Sequence, residues 1–165
     1  MREILFRGLH RRKGEKVRLD GTPVESIWVY GGYCQYNVER GIIYQVEPEV
    51  NKYPVYADSV GQYTGLTDKN GVKIFEGDIL QCNNNPKDIV KTVFGKFSVI
   101  DAETETAVDE VTGWHCEVIP TDAISEVLPF CLPMPLTDYY INRCNAEVIG
   151  NVHDNPELLK GKNKK

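Results

Sequence analysis

A predominantly β fold is what this sequence predicts: short antiparallel strands forming small barrel-like or meander subdomains, with helix confined to short turns. Nine Tyr, five Phe and two Trp stand among abundant Val and Ile, side chains that suit a pleated, half-buried surface. Ala and Leu are too sparse for a helical bundle. Fourteen Gly and nine Pro punctuate the chain at short intervals, so that no long regular element fits between turns. At 165 residues the chain fits one compact domain or two very small ones, and roughly two-thirds of its unfolded surface is available for burial.

Alternation in Arg2-Glu3-Ile4-Leu5-Phe6-Arg7, resumed beyond a polar stretch by Lys16-Val17-Arg18-Leu19, predicts a strand at the start. Asp20-Gly21-Thr22-Pro23 reads as a turn. Ser26-Ile27-Trp28-Val29-Tyr30 and Cys34-Gln35-Tyr36-Asn37-Val38 then flank Gly31-Gly32, a hairpin in which the glycines supply positive φ. Arg40-Gly41 turns again into Ile42 to Val46, completing a meander. Two prolines, Pro48 and Pro54, make residues 47–54 the linker candidate. The predicted division is therefore an N-terminal meander, 1–57, and a barrel-like C-terminal part, 58–159.

The second part opens on the densest turn signal in the chain. Val60 to Thr64 reads as a strand, Leu66 to Gly71 as a turn, Val72 to Phe75 as a strand, Glu76-Gly77 as a tight turn and Asp78 to Cys82 as a strand. Asp68 accepts backbone N–H bonds in such a turn, while Asn70 and Gly71 tolerate left-handed angles. After the polar loop Asn83 to Asp88 come Ile89 to Phe94, a bend at Gly95 and Lys96 to Ile100. The acidic run Asp101 to Glu110 reads as a solvated hairpin tip, and Trp114 to Ile119 as the returning strand. Thr121 to Glu126 caps a short helix, and Pro129, Pro133 and Pro135 exclude a long one. Ala146 to Val152 is a closing strand and Asn155-Pro156 starts a terminal helical turn. The lysine-rich tail 160–165 is predicted to be disordered.

The net charge of −5 hides an asymmetry. Residues 1–18 carry seven basic and two acidic groups, the last six residues add four lysines, and the body between them has a charge of −14. An acidic body repels phosphate, so nucleic-acid binding by the main surface is disfavoured unless the basic ends act alone. No stretch reaches the apolar length of a membrane span, and Met1 to Phe6 lacks a signal-peptide h-region; the expectation is a cytoplasmic protein with no membrane contact. Cys34, Cys82, Cys116, Cys131 and Cys144 are odd in number and irregularly spaced, unlike a disulfide framework or a zinc site, and read as free buried thiols.

Candidate chemistry is sparse. His115-Cys116-Glu117 has the His-x-Glu start of a zinc deaminase signature, but no Pro-Cys-x-x-Cys follows, and Cys131 lacks a partner at the required spacing. On a strand, His115 and Glu117 share one face and Trp114 and Cys116 the other, which makes Trp114 a core residue. Glu76 and Asp78 flank Gly77, a pattern that serves acid–base or cation chemistry in some proteins and a chain reversal in many more. His10 and His153 are isolated in sequence. No phosphate-binding Gly loop, nucleophile elbow or Ser/His/Asp set is present.

Four segments, in order and spacing, together resemble the YopX family of phage and prophage proteins: Met1 to Gly8, Trp28-Val29-Tyr30-Gly31-Gly32-Tyr33, Val60 to Leu80, and Glu147 to Leu159. The positions that carry the resemblance are Trp28, Tyr30, Gly31, Gln62, Tyr63, Thr64, Gly65, Asp68, Asn70, Gly71, Glu76, Gly77, Asp78, Gly150, Asn155 and Pro156; residues 83–143 carry no such signature. The resemblance implies a bacterial or prophage-borne, β-rich, cytoplasmic protein that self-associates, and it imports no catalytic residues. The functional expectation is a non-enzymatic module without metal or cofactor that forms a homo-oligomer or binds another protein. The alternative is nucleic-acid binding by the basic N-terminal stretch and the Lys160 to Lys165 tail. A third reading, a metal-dependent enzyme, would use Glu76, Asp78 or His115.

Overall fold

The computed structural model describes residues 3–15, 25–45, 50–101, 103–104, 106–120 and 133–159. The readings made above for the Lys16 to Leu19 strand, the Asp20 to Pro23 turn, the start of the linker, Cys131, the Thr121 to Glu126 helix and the 160–165 tail lie outside the described residues. Among those described, the fold is mostly β, with two antiparallel sheets and one short α-helix. The chain divides into two compact units, Met1–Gly65 and Leu66–Lys165.

In the first unit β1 (Phe6–Arg11), β2 (Ile27–Gln35), β3 (Arg40–Gln45) and β4 (Asn51–Tyr56) form a meander, and β5 (Gly61–Thr67) lies on the free side of β1. Val29, Ile43 and Val55 make its core, with Phe6, Tyr33, Tyr53 and Val60 packed around them. The meander curls until β4 comes over β1: a Cβ on Gly8 would lie 3.1 Å from that of Val55, and His10 Nδ1 donates to the Pro54 carbonyl at 2.8 Å. These side-chain and backbone contacts replace a ladder between the two strands, so the predicted meander is a curled open sheet; the part expected to be barrel-like, 58–159, contributes an open five-stranded sheet and no closed barrel. Pro54, read as part of a linker, sits in edge strand β4 opposite Ile42, a position where a missing N–H is tolerated. The unit boundary falls after Gly65 rather than near Ala57. Ser59 accepts from Leu9 N at 2.9 Å and Tyr63 N donates to Leu5 O at 2.8 Å, which keeps residues 57–65 bound to β1.

One predicted turn is absent. Gly31 and Gly32 lie within the continuous nine-residue strand β2, and neither has positive φ. They mark where β2 changes partner, since Gly31 pairs with Phe6 of β1 and Gly32 with Tyr44 of β3. Gly31 is there for space: a Cβ would lie 2.1 Å from the Tyr44 carbonyl oxygen. The hairpin comes four residues later, where Asn37 Oδ1 accepts from Glu39 N and Arg40 N at 2.9 and 2.7 Å. Arg40 and Gly41, read as a turn, already belong to β3.

The second unit follows the predicted order closely. β6 (Lys73–Phe75) and β7 (Asp78–Gln81) are joined by the Glu76-Gly77 turn. The second sheet, ordered β10-β9-β8-β7-β11, contains β8 (Ile89–Ile100), β9 (Ala107–Val118), β10 (Met134–Pro135) and β11 (Glu147–Asn151). Gly95 does not bend the chain, because β8 pairs in register with β9 from Val90 to Val99. Helix α1 (Asp138–Arg143) was not anticipated; its N-cap is Thr137, whose hydroxyl accepts from Tyr140 N at 3.1 Å. The main core, on one face of the sheet, includes Ile74, Leu80, Cys82, Val90, Cys116, Leu136, Tyr140 and Ile141. A second cluster, Ile79, Ile89 and Ile119, fills the opposite face.

The two glycines of β2 give a paired test. Gly31→Ala is expected to lower stability by about 1–3 kcal/mol through overpacking, whereas Gly32→Ala, which meets nothing within 4 Å, should change it by less than about 0.5 kcal/mol. Denaturant midpoints of both variants measure the difference, and equal midpoints would contradict the crowding at Gly31.

Candidate functional site

The residues singled out in the sequence fall into two groups, one in each unit. In the first, Trp28, Tyr30 and Gly31 lie on β2 and Gln62, Tyr63, Thr64 and Gly65 on β5, the two strands that flank β1. The Arg7 guanidinium lies 4.8 Å from the Trp28 ring, and Tyr63 and Thr64 are buried. Gly65 has φ +91°, which a side chain resists.

The second group is centred on Asp68, which is buried. Its Oδ1 accepts from Asn70 N at 2.8 Å and Val72 N at 2.9 Å, closing the turn. Its Oδ2 accepts from Val148 N at 2.9 Å, across eighty positions of sequence. Lys69 N donates to Ala146 O at 3.1 Å and Lys69 Nζ pairs with Glu147. One carboxylate therefore closes a local turn and fixes the strand that ends the sheet. Gly71, at φ +81°, completes the reversal.

Glu76-Gly77-Asp78 forms a second joint. Asp78 is buried, and its Oδ2 accepts from Phe75 N at 2.7 Å across the β6–β7 turn. Gly77, at φ +78°, donates to Thr92 O at 2.9 Å and accepts from Val152 N at 3.0 Å. Beyond β11, Asn151 Oδ1 accepts from His153 N and Asp154 N at 2.9 and 3.0 Å, so His153 sits in a turn. The Asn155 side chain folds back on Gly150, where a Cβ would lie 2.2 Å from Asn155 Oδ1, and Pro156 begins a 3₁₀ turn. Asn70, Gly71, Glu76, Gly77, Asp78, Gly150, Asn155 and Pro156 thus shape the joints around β6, β7 and β11. Asp68 and Asp78 direct oxygens at backbone N–H groups, the work of turn-formers.

His115 is only 3% exposed. Its ring stacks on Phe97 with centroids 4.7 Å apart, and its Nδ1 donates to Gly113 O at 3.2 Å. Nε2 stands 3.8 Å from Glu117 Oε1, too far for a hydrogen bond. Trp114 and Cys116 join the main core on the other face. Among the described residues, no group of three or more His, Cys, Asp or Glu side chains is placed to hold a metal ion.

Two constellations were not legible in the sequence. Part of the basic N-terminal stretch is engaged within its own unit: Arg12 grips both Asp58 oxygens at 2.7 Å, and its guanidinium lies 4.2 Å from the Tyr56 ring centroid. The Tyr56 hydroxyl donates to Glu15 and holds that carboxyl below its ordinary range. The other is a thiol cluster. Cys82 and Cys116 are buried in the main core, partly exposed Cys144 packs against them, and Cys82 Sγ lies 3.7 Å from the Tyr140 hydroxyl. Burial raises the Cys116 thiol and the Tyr140 phenol. Cys82 and Cys144 stand 62 positions apart in a region without motif, so only the fold brings them together.

The family described as YopX protein matches residues 22–160 of this chain. The solved structure of protein EF1440 from Enterococcus faecalis is similar at 18% identity over 97% of this chain and 100% of that chain, with a TM-score of 0.43. No match was found among curated proteins.

Removing the Asp68 carboxylate leaves three backbone N–H groups without their acceptor. Asp68→Ala is expected to destabilise the second unit by about 2–4 kcal/mol, and Asp68→Asn, which keeps one acceptor oxygen, by less. Thermal unfolding of the two variants beside wild type measures this order; unchanged midpoints would refute the role of the carboxylate.

Proposed function

We propose that this chain, which belongs to the YopX family, is a non-enzymatic protein-binding module that self-associates through the β8–β9 ribbon. The carrying observation is an aromatic side chain held out to solvent on strands with unpaired outer edges. β7 pairs with β8 only as far as Lys91, and β10 pairs with β9 only at Cys116 and His115. From Val93 to Ile100 and from Ala107 to Gly113, beyond the bonds that Gly77 N makes to Thr92 O and Leu136 N to Trp114 O, each strand has, among the described residues, the other as its only ladder partner. At the inner end of this ribbon Phe94 is 53% exposed, set edge-on against Trp114 with centroids 5.0 Å apart. An unpaired strand edge supplies main-chain hydrogen bonds to an added strand, and an exposed aromatic supplies the apolar anchor.

Charge favours a second copy as the occupant. Lys91 pairs with its register partner Glu117 at 2.9 Å and Lys96 pairs diagonally with Glu110 at 2.8 Å, so the basic groups of β8 are neutralised by carboxylates of β9. Two β8 edges then approach around a two-fold axis with little like-charge repulsion. The non-enzymatic part of the reading is supported by Asp78, one of the two carboxylates considered for acid–base work, which directs an oxygen at the Phe75 amide, and by Asp68, whose oxygens likewise face backbone amides. Nucleic-acid binding by the N-terminal stretch has less support, because Arg7 is buried and Arg12 is paired with Asp58. A cytoplasmic, phage- or prophage-encoded origin belongs to the same proposal and rests on the family resemblance.

Light scattering across a micromolar concentration series is expected to show a monomer–dimer equilibrium, and Phe94→Asp should weaken it about tenfold or more. A strict monomer throughout, or a Phe94→Asp dimer of wild-type strength, would overturn the proposal.

A further inference from the structure

We propose that Cys144 and Cys82 form an oxidisable dithiol, in which Cys144 is the site of attack on a hydroperoxide and Cys82 the thiol that resolves the product. The loop after β7 and the C-terminus of α1 are locked together where these residues sit: Asn83 N donates to Cys144 O at 2.5 Å. Both side chains belong to the main core, but Cys82 is fully buried whereas Cys144 is partly exposed. An incoming oxidant therefore meets Cys144 first, with the second thiol already behind it.

The groups facing Cys144 settle its ionisation. The Cys82 thiol and the Tyr140 hydroxyl, themselves 3.7 Å apart, are the donor groups beside Cys144 that favour its thiolate, and the neighbouring Arg143 guanidinium adds a favourable charge. Opposing these are partial burial and the Asp88 carboxylate. Cys144 also caps the C-terminus of α1, with its N–H bonded to Tyr140 O, where the helix carbonyls disfavour an anion. The donors prevail and bring the Cys144 thiol down to about 7. Cys82 shifts the other way: as donor to Cys144, and through burial, it is held protonated. Burial holds Cys116, the third thiol of the cluster, protonated as well.

The chemistry balances with a hydroperoxide as the oxidant. The Cys144 thiolate attacks the distal peroxide oxygen; the S–O bond forms, the O–O bond breaks, and the leaving hydroxide takes a proton to become water. Cys144 has then lost two electrons and is a sulfenic acid. It no longer carries the negative charge that kept Cys82 protonated, so Cys82 gives up its proton and attacks the Cys144 sulfur. The S–S bond forms and the S–O bond breaks, releasing a second water. Two thiols and one hydrogen peroxide yield one disulfide and two waters, and a dithiol reductant reverses the change.

The test uses the full chain, with exposed Cys34 as an internal control. Alkylation of Cys144 by iodoacetamide, followed by peptide mass spectrometry across a pH series, should show a midpoint about 1–2 pH units below that of Cys34, moving upward in Cys82→Ala. After stoichiometric hydrogen peroxide, the 82- and 144-containing peptides should be joined and should separate on reduction, with Cys116 still alkylatable under denaturing conditions. Cys144→Ser, a change at a partly exposed position, should abolish the joined peptide and leave Cys82 reduced. Equal alkylation midpoints for Cys144 and Cys34, or peroxide treatment that oxidises Cys144 without joining it to Cys82, would overturn the proposal even if Cys82→Ala failed to fold.

Discussion

A single buried carboxylate holds the second unit to its topology. Asp68 binds Asn70 and Val72 with one oxygen and Val148 with the other, so the turn that precedes β6 and the strand that closes the second sheet share one anchor. A carboxylate suits this place because it accepts several N–H bonds without needing to donate any. Charge-assisted bonds of this kind are stronger than neutral ones. β11 in turn carries the bulge at Ile149, where pairing shifts between Val148 and Gly150, and it leads into Val152, whose N–H reaches Gly77. Asp68 and Gly77 thus pin the two ends of the same final strand, and the sheet that supports the β8–β9 ribbon is completed by segments from both ends of the unit.

The same arrangement accounts for where the family positions lie. Those in the second unit cluster at joints where strands meet, and those in the first flank β1 on β2 and β5. Residues 83–143, which carry no family signature, include the ribbon, α1 and Cys116.

Local signals in the sequence were readable and distant ones were not. The Asp68-Lys69-Asn70-Gly71 reversal, the Gly77 turn and the Pro156 start were legible because each is determined by residues within four positions. The fold class was legible from composition and turn spacing. Gly31-Gly32 misled because a glycine pair signals either positive φ or close approach, and here Gly31 makes room for the Tyr44 carbonyl. Pro54 was assigned to a linker because proline breaks a ladder, yet an edge strand accommodates it. Helix α1 leaves little trace in the sequence: Thr137 caps it, but Pro129, Pro133 and Pro135 precede it and signal a segment without helix. The Val148 end of the Asp68 bond, the burial of His115 beneath Phe97 and the meeting of Cys82 with Cys144 depend on tertiary contacts that no local pattern encodes.

Native-state hydrogen exchange tests the central role of Asp68 most directly, because it reads the three bonded amides one at a time. The account predicts that the amides of Asn70, Val72 and Val148 exchange with a shared opening free energy in wild type, and that Asp68→Asn lowers the protection of Val148 together with that of at least one turn amide. Loss of protection confined to Asn70 and Val72, with Val148 unchanged, would show that the closing strand is held by its ladder alone and would contradict the account.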